Sequence, residues 1–117
     1  MVQPYAGAPL LDYGCGDGTF LALVHDLFPR AVGAEIDPGL VAGARERFGG
    51  MQGLSFIHTD EVAALPDASF GVVTCMEVLE HCTAEAAEGV ITQLRRLVAR
   101  DGVVIVSVPV ETGPALL

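Results

Sequence analysis

The run Leu10-Leu11-Asp12-Tyr13-Gly14-Cys15-Gly16-Asp17-Gly18 restricts the possible folds more than any other part of the chain. It reads as a short buried strand ending in a carboxylate, then a glycine-rich turn, then a helix. Glycines at alternate positions let the backbone bend sharply and approach a ligand with no side chain in between. The helix that follows offers free N–H groups and the positive end of its dipole to a carboxylate or phosphate. The order strand, glycine turn, helix predicts a loop for a nucleotide-type cofactor.

The rest of the chain repeats the alternation. Leu10–Tyr13 is the first strand, and Thr19–Phe28 reads as a helix with Phe20, Leu23, Val24 and Leu27 as its apolar stripe, closed by Pro29. Ala31–Glu35 is the second strand. Asp37-Pro38 starts a helix, because aspartate caps orphan N–H groups and proline suits the first helical position; it runs to about Phe48 and stops at Gly49-Gly50. Leu54–His58 is the third strand, Asp60–Ser69 a loop or short turn, Phe70–Cys75 the fourth strand and Glu77–His81 a short helical turn. Thr83 caps a helix carrying Val90, Ile91, Leu94, Leu97 and Val98 at helical spacing, and Asp101-Gly102 turns the chain into the strand Val103–Val108.

Five strands with long connections predict parallel crossovers. The expected fold is α/β, a Rossmann-like three-layer sandwich with a mostly parallel sheet in the order 3-2-1-4-5, formed by residues 1–117 as a single domain. A crevice opens between strands one and four. Val103–Val108 falls on an edge, and an apolar edge invites pairing. Pro109–Leu117 caps nothing. The favoured expectation is that a C-terminal piece with the usual final antiparallel strands is lacking, and the other is a homodimer through this edge.

Composition narrows the partners. The 117 residues hold 51% hydrophobic residues, which fits strands covered on both faces. Fifteen acidic residues against six arginines and no lysine give a net charge of -9. That balance argues against a broad nucleic-acid or anionic-membrane surface, though not against a small local pocket. Cys15, Cys75 and Cys82 have neither disulfide density nor CxxC spacing, so they read as reduced thiols. The leader lacks a basic and apolar signal pattern, and no apolar run reaches membrane-spanning length; a cytoplasmic protein follows by default.

Further candidate ligand groups fall at successive strand ends. Glu35 ends the second strand, where its carboxylate can accept from a ribose diol and would repel the extra phosphate of NADP. Asp60 follows the third strand and can accept from an adenine amino group. Met76 follows the fourth and can lie against the base or near the reactive centre. Each also has a plain reading, as solvated loop acids and a core methionine. Asp12 divides the ligand classes. A carboxylate is awkward beside a diphosphate, whereas S-adenosylmethionine brings a sulfonium and an ammonium beside a single carboxylate. The glycine spacing also departs from GxGxxG.

From Leu10 to about Pro109 the sequence resembles the class I S-adenosylmethionine-dependent methyltransferases. Leu11-Asp12-Tyr13-Gly14-Cys15-Gly16-Asp17-Gly18 is similar to their first motif, Val32-Gly33-Ala34-Glu35-Ile36-Asp37 to their second, and Phe70 to His81 to their fourth-strand motif, with Gly71 where many relatives carry an acid. The resemblance implies that Asp12, Gly14, Cys15, Gly16 and Gly18 hold the methionine part of the cofactor. It implies that Glu35 holds the ribose hydroxyls, that Ile36 lines the adenine, and that Asp60-Glu61 meets the adenine edge, with Met76 nearby. The cofactor half is represented more fully than the acceptor half.

Glu77, Glu80 and His81 would share one face of a helix, and some members with similar residues use them for a metal. Packing is the preferred reading, a base role for His81 is another, and no metal site is assigned. Methyl transfer asks mainly for alignment, so no catalytic residue is named. The leading expectation is methyl transfer from S-adenosylmethionine to an O, N or C nucleophile of a small-molecule acceptor. The alternatives are a non-catalytic cofactor- or partner-binding domain and an NAD-type oxidoreductase fragment.

Overall fold

A computed structural model describes residues 8–109. Almost all of the Pro109–Leu117 segment lies outside the described residues, as does the leader through Gly7. Five strands, β1 (Leu10–Tyr13), β2 (Ala31–Glu35), β3 (Leu54–His58), β4 (Phe70–Met76) and β5 (Val98–Ser107), form one sheet in the order β3-β2-β1-β4-β5. All four pairings are parallel. Three helices, α1 (Thr19–Val24), α2 (Pro38–Phe48) and α3 (Ala84–Leu97), connect them, with short 3-10 turns at His25–Leu27, Thr59–Ala64 and Leu79–His81. The fold is the Rossmann-like three-layer sandwich expected from the sequence.

Alternation along the strands sorts the core onto two faces. Leu10, Ala31, Leu54, Phe56 and Val72 join Leu21, Val41 and Ala44 in the layer under α1 and α2. Leu11, Val32, Ala34, Phe70, Val73 and Cys75 join Val62, Leu94 and Leu97 in the layer under α3. Neighbouring residues of one strand thus serve opposite layers, which is why the strands read as nearly continuous apolar runs.

Helix starts follow the chemistry read from the sequence. The Asp37 carboxylate accepts from Gly39 N at 2.8 Å and Leu40 N at 3.4 Å, with Pro38 opening α2. Thr83 Oγ1 accepts from Ala86 N at 3.1 Å and caps α3. Arg96, near the end of α3, donates to the carbonyls of Leu65 and Val62 and to the Asp67 carboxylate, at 2.7, 3.0 and 2.8 Å. One guanidinium thereby ties the connection between β3 and β4 to the helix that follows it.

Two local expectations are corrected. The first helix ends at Val24 and tightens into a 3-10 turn, and its buried residue is Leu21 (0% exposed) while Leu23 is 75% exposed. Phe20 and Leu27 are also exposed, so the stripe read from spacing faces largely outward. The reason is length: six residues make fewer than two turns, and the face is set by how Gly18 aims the first turn. Second, Asp101-Gly102 lies inside β5, where the pairing with β4 shifts register between Phe70 and Val72 and absorbs the extra residues as an irregularity. The stretch read as a loop or short turn, Asp60–Ser69, opens within the 3-10 turn Thr59–Ala64, whose Val62 enters the core.

The correction in α1 can be checked directly. Leu21→Ala should cost about 2–5 kcal/mol by urea denaturation, as for buried leucines generally. Leu23→Ala should stay within about 0.5 kcal/mol.

Candidate functional site

The carboxyl ends of the strands converge on one cavity of about 460 Å³. Tyr13 and Gly14 line it after β1, Glu35 and Ile36 after β2, Thr59 after β3, and Glu77 and Val78 after β4. His81, Cys82, Ala86 and Val90 close the side toward α3. This is the crevice expected where strand order reverses on either side of β1, and its size is that of a small-molecule site.

The glycine loop is shaped from both sides. Gly14 N and Cys15 N both donate to Ala34 O, at 2.7 and 3.1 Å, which fixes the turn against the end of β2. Gly16 and Gly18 both have left-handed backbones, with φ of +60° and +84°. They differ in surroundings. A Cβ on Gly18 would stand 2.7 Å from the Phe56 ring, so this glycine is required by core packing. A Cβ on Gly16 would meet nothing within 4 Å, so the backbone there faces open space. One glycine admits the core and the other borders open space.

Glu35 is 8% exposed at the end of β2. Its Oε1 accepts from Gly16 N at 2.9 Å and its Oε2 from Asp37 N at 2.8 Å. Each carboxylate oxygen keeps a further lone pair, and the residue lines the cavity. Ile36, beside it, is 72% exposed, an apolar surface at the mouth of the cavity.

Asp12 is 5% exposed and accepts from Thr74 Oγ1 at 2.7 Å. Burial raises its pKa, the Thr74 hydrogen bond partly offsets this, and the Glu35 charge adds to the rise. It sits behind the cavity lining, not in it. Cys15 is buried and its thiol is pushed up to about 12, chiefly by desolvation, so it stays protonated at neutral pH and is not a nucleophile. All three cysteines are free. Asp17, exposed, is held below the usual range first by the Thr19 N–H.

Of the residues expected from the sequence, the cavity lining gathers Gly14, Glu35 and Ile36. Asp12, Cys15, Gly16 and Gly18 lie just behind it on the same loop and strand. Asp60 and Glu61 stand on the 3-10 turn next to the lining residue Thr59, both exposed; Glu61 Oε1 accepts from His58 N at 3.4 Å. Met76 is half-buried at the last position of β4 and does not reach the lining. Glu77 has φ +59° and Leu79–His81 is a 3-10 turn, so Glu77, Glu80 and His81 do not share a helical face. Glu77 and His81 line the cavity and Glu80 does not. Among the described residues no group of three His, Cys, Asp or Glu side chains could hold a metal.

Sequence reasoning missed Tyr13, Thr59, Val78, Cys82, Ala86 and Val90 as lining residues, and Thr74 as the partner of Asp12. Thr74 was detectable once strands were ordered, because it stands opposite Asp12 in the β1–β4 register. The α3 residues carried no such signal, since their placement depends on the turn at Glu77.

A family model described as a methyltransferase domain matches residues 11–106. The chain belongs to the class I S-adenosylmethionine-dependent methyltransferase family. This methyltransferase domain is 33% identical over 106 residues to a Mycolicibacterium smegmatis protein named "Probable S-adenosylmethionine-dependent methyltransferase", covering 89% of this chain and 39% of that one. It is 31% identical over 107 residues to the ubiquinone biosynthesis O-methyltransferase of Thiobacillus denitrificans, covering 89% and 45%. The chain thus spans less than half the length of these relatives. Among solved structures, a Pyrococcus horikoshii protein superposes with a TM-score of 0.76 at 26% identity over 86% of this chain and 48% of that one. The Haemonchus contortus phosphoethanolamine N-methyltransferase, in complex with phosphoethanolamine and S-adenosylhomocysteine, shares the fold with a TM-score of 0.77 at 15% identity, covering 90% and 23%. No helix among the described residues is long and apolar enough to cross a membrane.

Gly16 and Gly18 should separate on substitution. Gly16→Ala should cost about 1–2 kcal/mol, the backbone penalty alone. Gly18→Ala should cost about 1–3 kcal/mol more, because the added methyl overlaps Phe56. Thermal or urea unfolding of the two variants checks the difference.

Proposed function

We propose that this domain binds S-adenosylmethionine across the carboxyl ends of β1, β2 and β3 and transfers its methyl to an O, N or C nucleophile of a small-molecule acceptor. The observation that carries the reading is the pairing of Glu35 with an open Gly16. The acid is buried against the loop, faces the cavity and retains lone pairs for a ribose diol, while the loop backbone faces space a ligand can fill.

When bound, the cofactor supplies an activated methyl on a sulfonium, with a neutral leaving group. The chain's residues do the holding. Asp12 sets negative charge behind the glycine loop, where the cofactor's ammonium and sulfonium need it. Gly14, Cys15, Gly16 and Gly18 give the backbone its close approach. Ile36 offers an apolar face to the adenine, and Asp60 with Glu61 stands at the adenine edge. Met76 supports the end of β4 behind the reactive centre. Alignment is the main requirement of an in-line transfer, and no base is assigned. A cytoplasmic setting suits both the reduced thiols and the cofactor.

Calorimetric titration tests the cofactor: S-adenosylhomocysteine should bind and NADH should not, and the reverse result would refute the reading. Asp12→Asn separates folding from function. With its pKa raised, Asp12 keeps its proton to higher pH in the native state than in the unfolded chain. Its contribution to stability is therefore fully present at low pH and is lost as pH rises through the raised value. Asp12→Asn should remove that pH-dependent loss and raise the neutral-pH melting temperature by a few degrees. The same variant should lose at least about tenfold in S-adenosylhomocysteine affinity, the scale of one charge-assisted hydrogen bond.

A further inference from the structure

We propose that His58 is a positioning residue for the adenosyl half of the site: its neutral, Nε2-protonated imidazole locks the backbone after β2 to the backbone after β3. The inference rests on the cofactor reading above. His58 ends β3 and stands opposite Glu35 in the parallel register. Its Nδ1 lies 3.1 Å from Asp60 N, and an amide N–H can only donate, so Nδ1 carries the lone pair. The proton is then on Nε2, which donates to Ile36 O at 2.7 Å. The approach of Nδ1 to the Asp60 carboxylate, 3.3 Å, is in this tautomer a proximity and not an ion pair.

The consequence lies in a single peptide group. The Ile36–Asp37 amide has its carbonyl held by His58 and its N–H held by Glu35 Oε2. Two side chains from adjacent strands, at paired positions, fix that plane from opposite sides. The plane sets where the Ile36 side chain, exposed at the cavity mouth, presents its face. The other nitrogen of the same ring fixes the amide of Asp60, and so the turn that carries the carboxylate at the adenine edge. Glu61 on the turn accepts from His58 N at 3.4 Å, and Arg45 donates to Phe56 O within β3 at 2.9 Å. His58 is only partly buried and adds little to the core; both bonds of its ring end on backbone, at Ile36 and Asp60.

The test compares binding of S-adenosylhomocysteine with S-inosylhomocysteine, whose base offers no amino group to Asp60, in the wild-type chain and in His58→Ala, His58→Asn and His58→Gln. Gln Nε2 reaches the position of the imidazole Nε2 and keeps a donor for Ile36 O. Asn Oδ1 replaces Nδ1 and keeps only the Asp60 contact. His58→Ala, folded by circular dichroism, should lose at least about tenfold in S-adenosylhomocysteine affinity, and its preference over the inosine analogue should fall toward one. His58→Gln should remain within about threefold of wild type. Should the alanine variant fail to fold, His58→Asn, which preserves the cap of the 3-10 turn, must show weakened affinity. Wild-type affinity and base preference in a folded alanine or asparagine variant would overturn the inference alone. A wild-type chain that binds neither compound would overturn the cofactor reading and this inference with it.

Discussion

The Glu35 carboxylate, accepting from Gly16 N at 2.9 Å and Asp37 N at 2.8 Å, joins the three parts of the chain that make a site possible. Gly16 belongs to the loop after β1, Glu35 ends β2, and Asp37 caps α2. A buried carboxylate is tolerated only where its oxygens are hydrogen-bonded, and here the partners are backbone N–H groups that would otherwise be orphaned beside a cavity. The bonds fix the glycine loop against the end of β2 and leave the acid's remaining lone pairs beside the cavity.

Asp12 illustrates the opposite balance. Its burial raises its pKa, and a single hydrogen bond from Thr74 only partly offsets the cost of the charge. A core position at the end of a central strand could be filled more stably by a neutral residue of similar shape. Holding an acid there costs stability, and the proposed cofactor, with its sulfonium and ammonium, would compensate that charge on binding. Glu35 and Asp12 thus stand on adjacent strands with different energetics: the first is satisfied by two backbone N–H groups and the second by one hydroxyl.

The sheet order, the limits of the first three strands and the caps of α2 and α3 were legible because each depends on local chemistry: alternating glycines after Tyr13, Asp37 before Pro38, β-branched runs between turns. Part of the cavity lining was legible at strand ends, where topology brings Gly14, Glu35 and Ile36 together. Side-chain direction on short elements was not. Leu21 rather than Leu23 enters the core because α1 is too short for periodicity to fix its face. Glu77, with a left-handed backbone, breaks the helical spacing that suggested a shared face with Glu80 and His81. The lining by Ala86 and Val90 follows from that turn and carries no sequence mark of its own. His58 read as an ordinary strand end, and its part emerged only from the register that sets it opposite Glu35.

The most direct test is a crystal structure of the chain with S-adenosylhomocysteine. The account predicts a ribose diol within hydrogen-bond distance of the Glu35 carboxylate, adenine against Ile36, and the amino-acid end of the ligand along Gly14 to Gly16 with its ammonium toward Asp12. A ligand lodged elsewhere, with Glu35 still bonded only to Gly16 and Asp37, would contradict it.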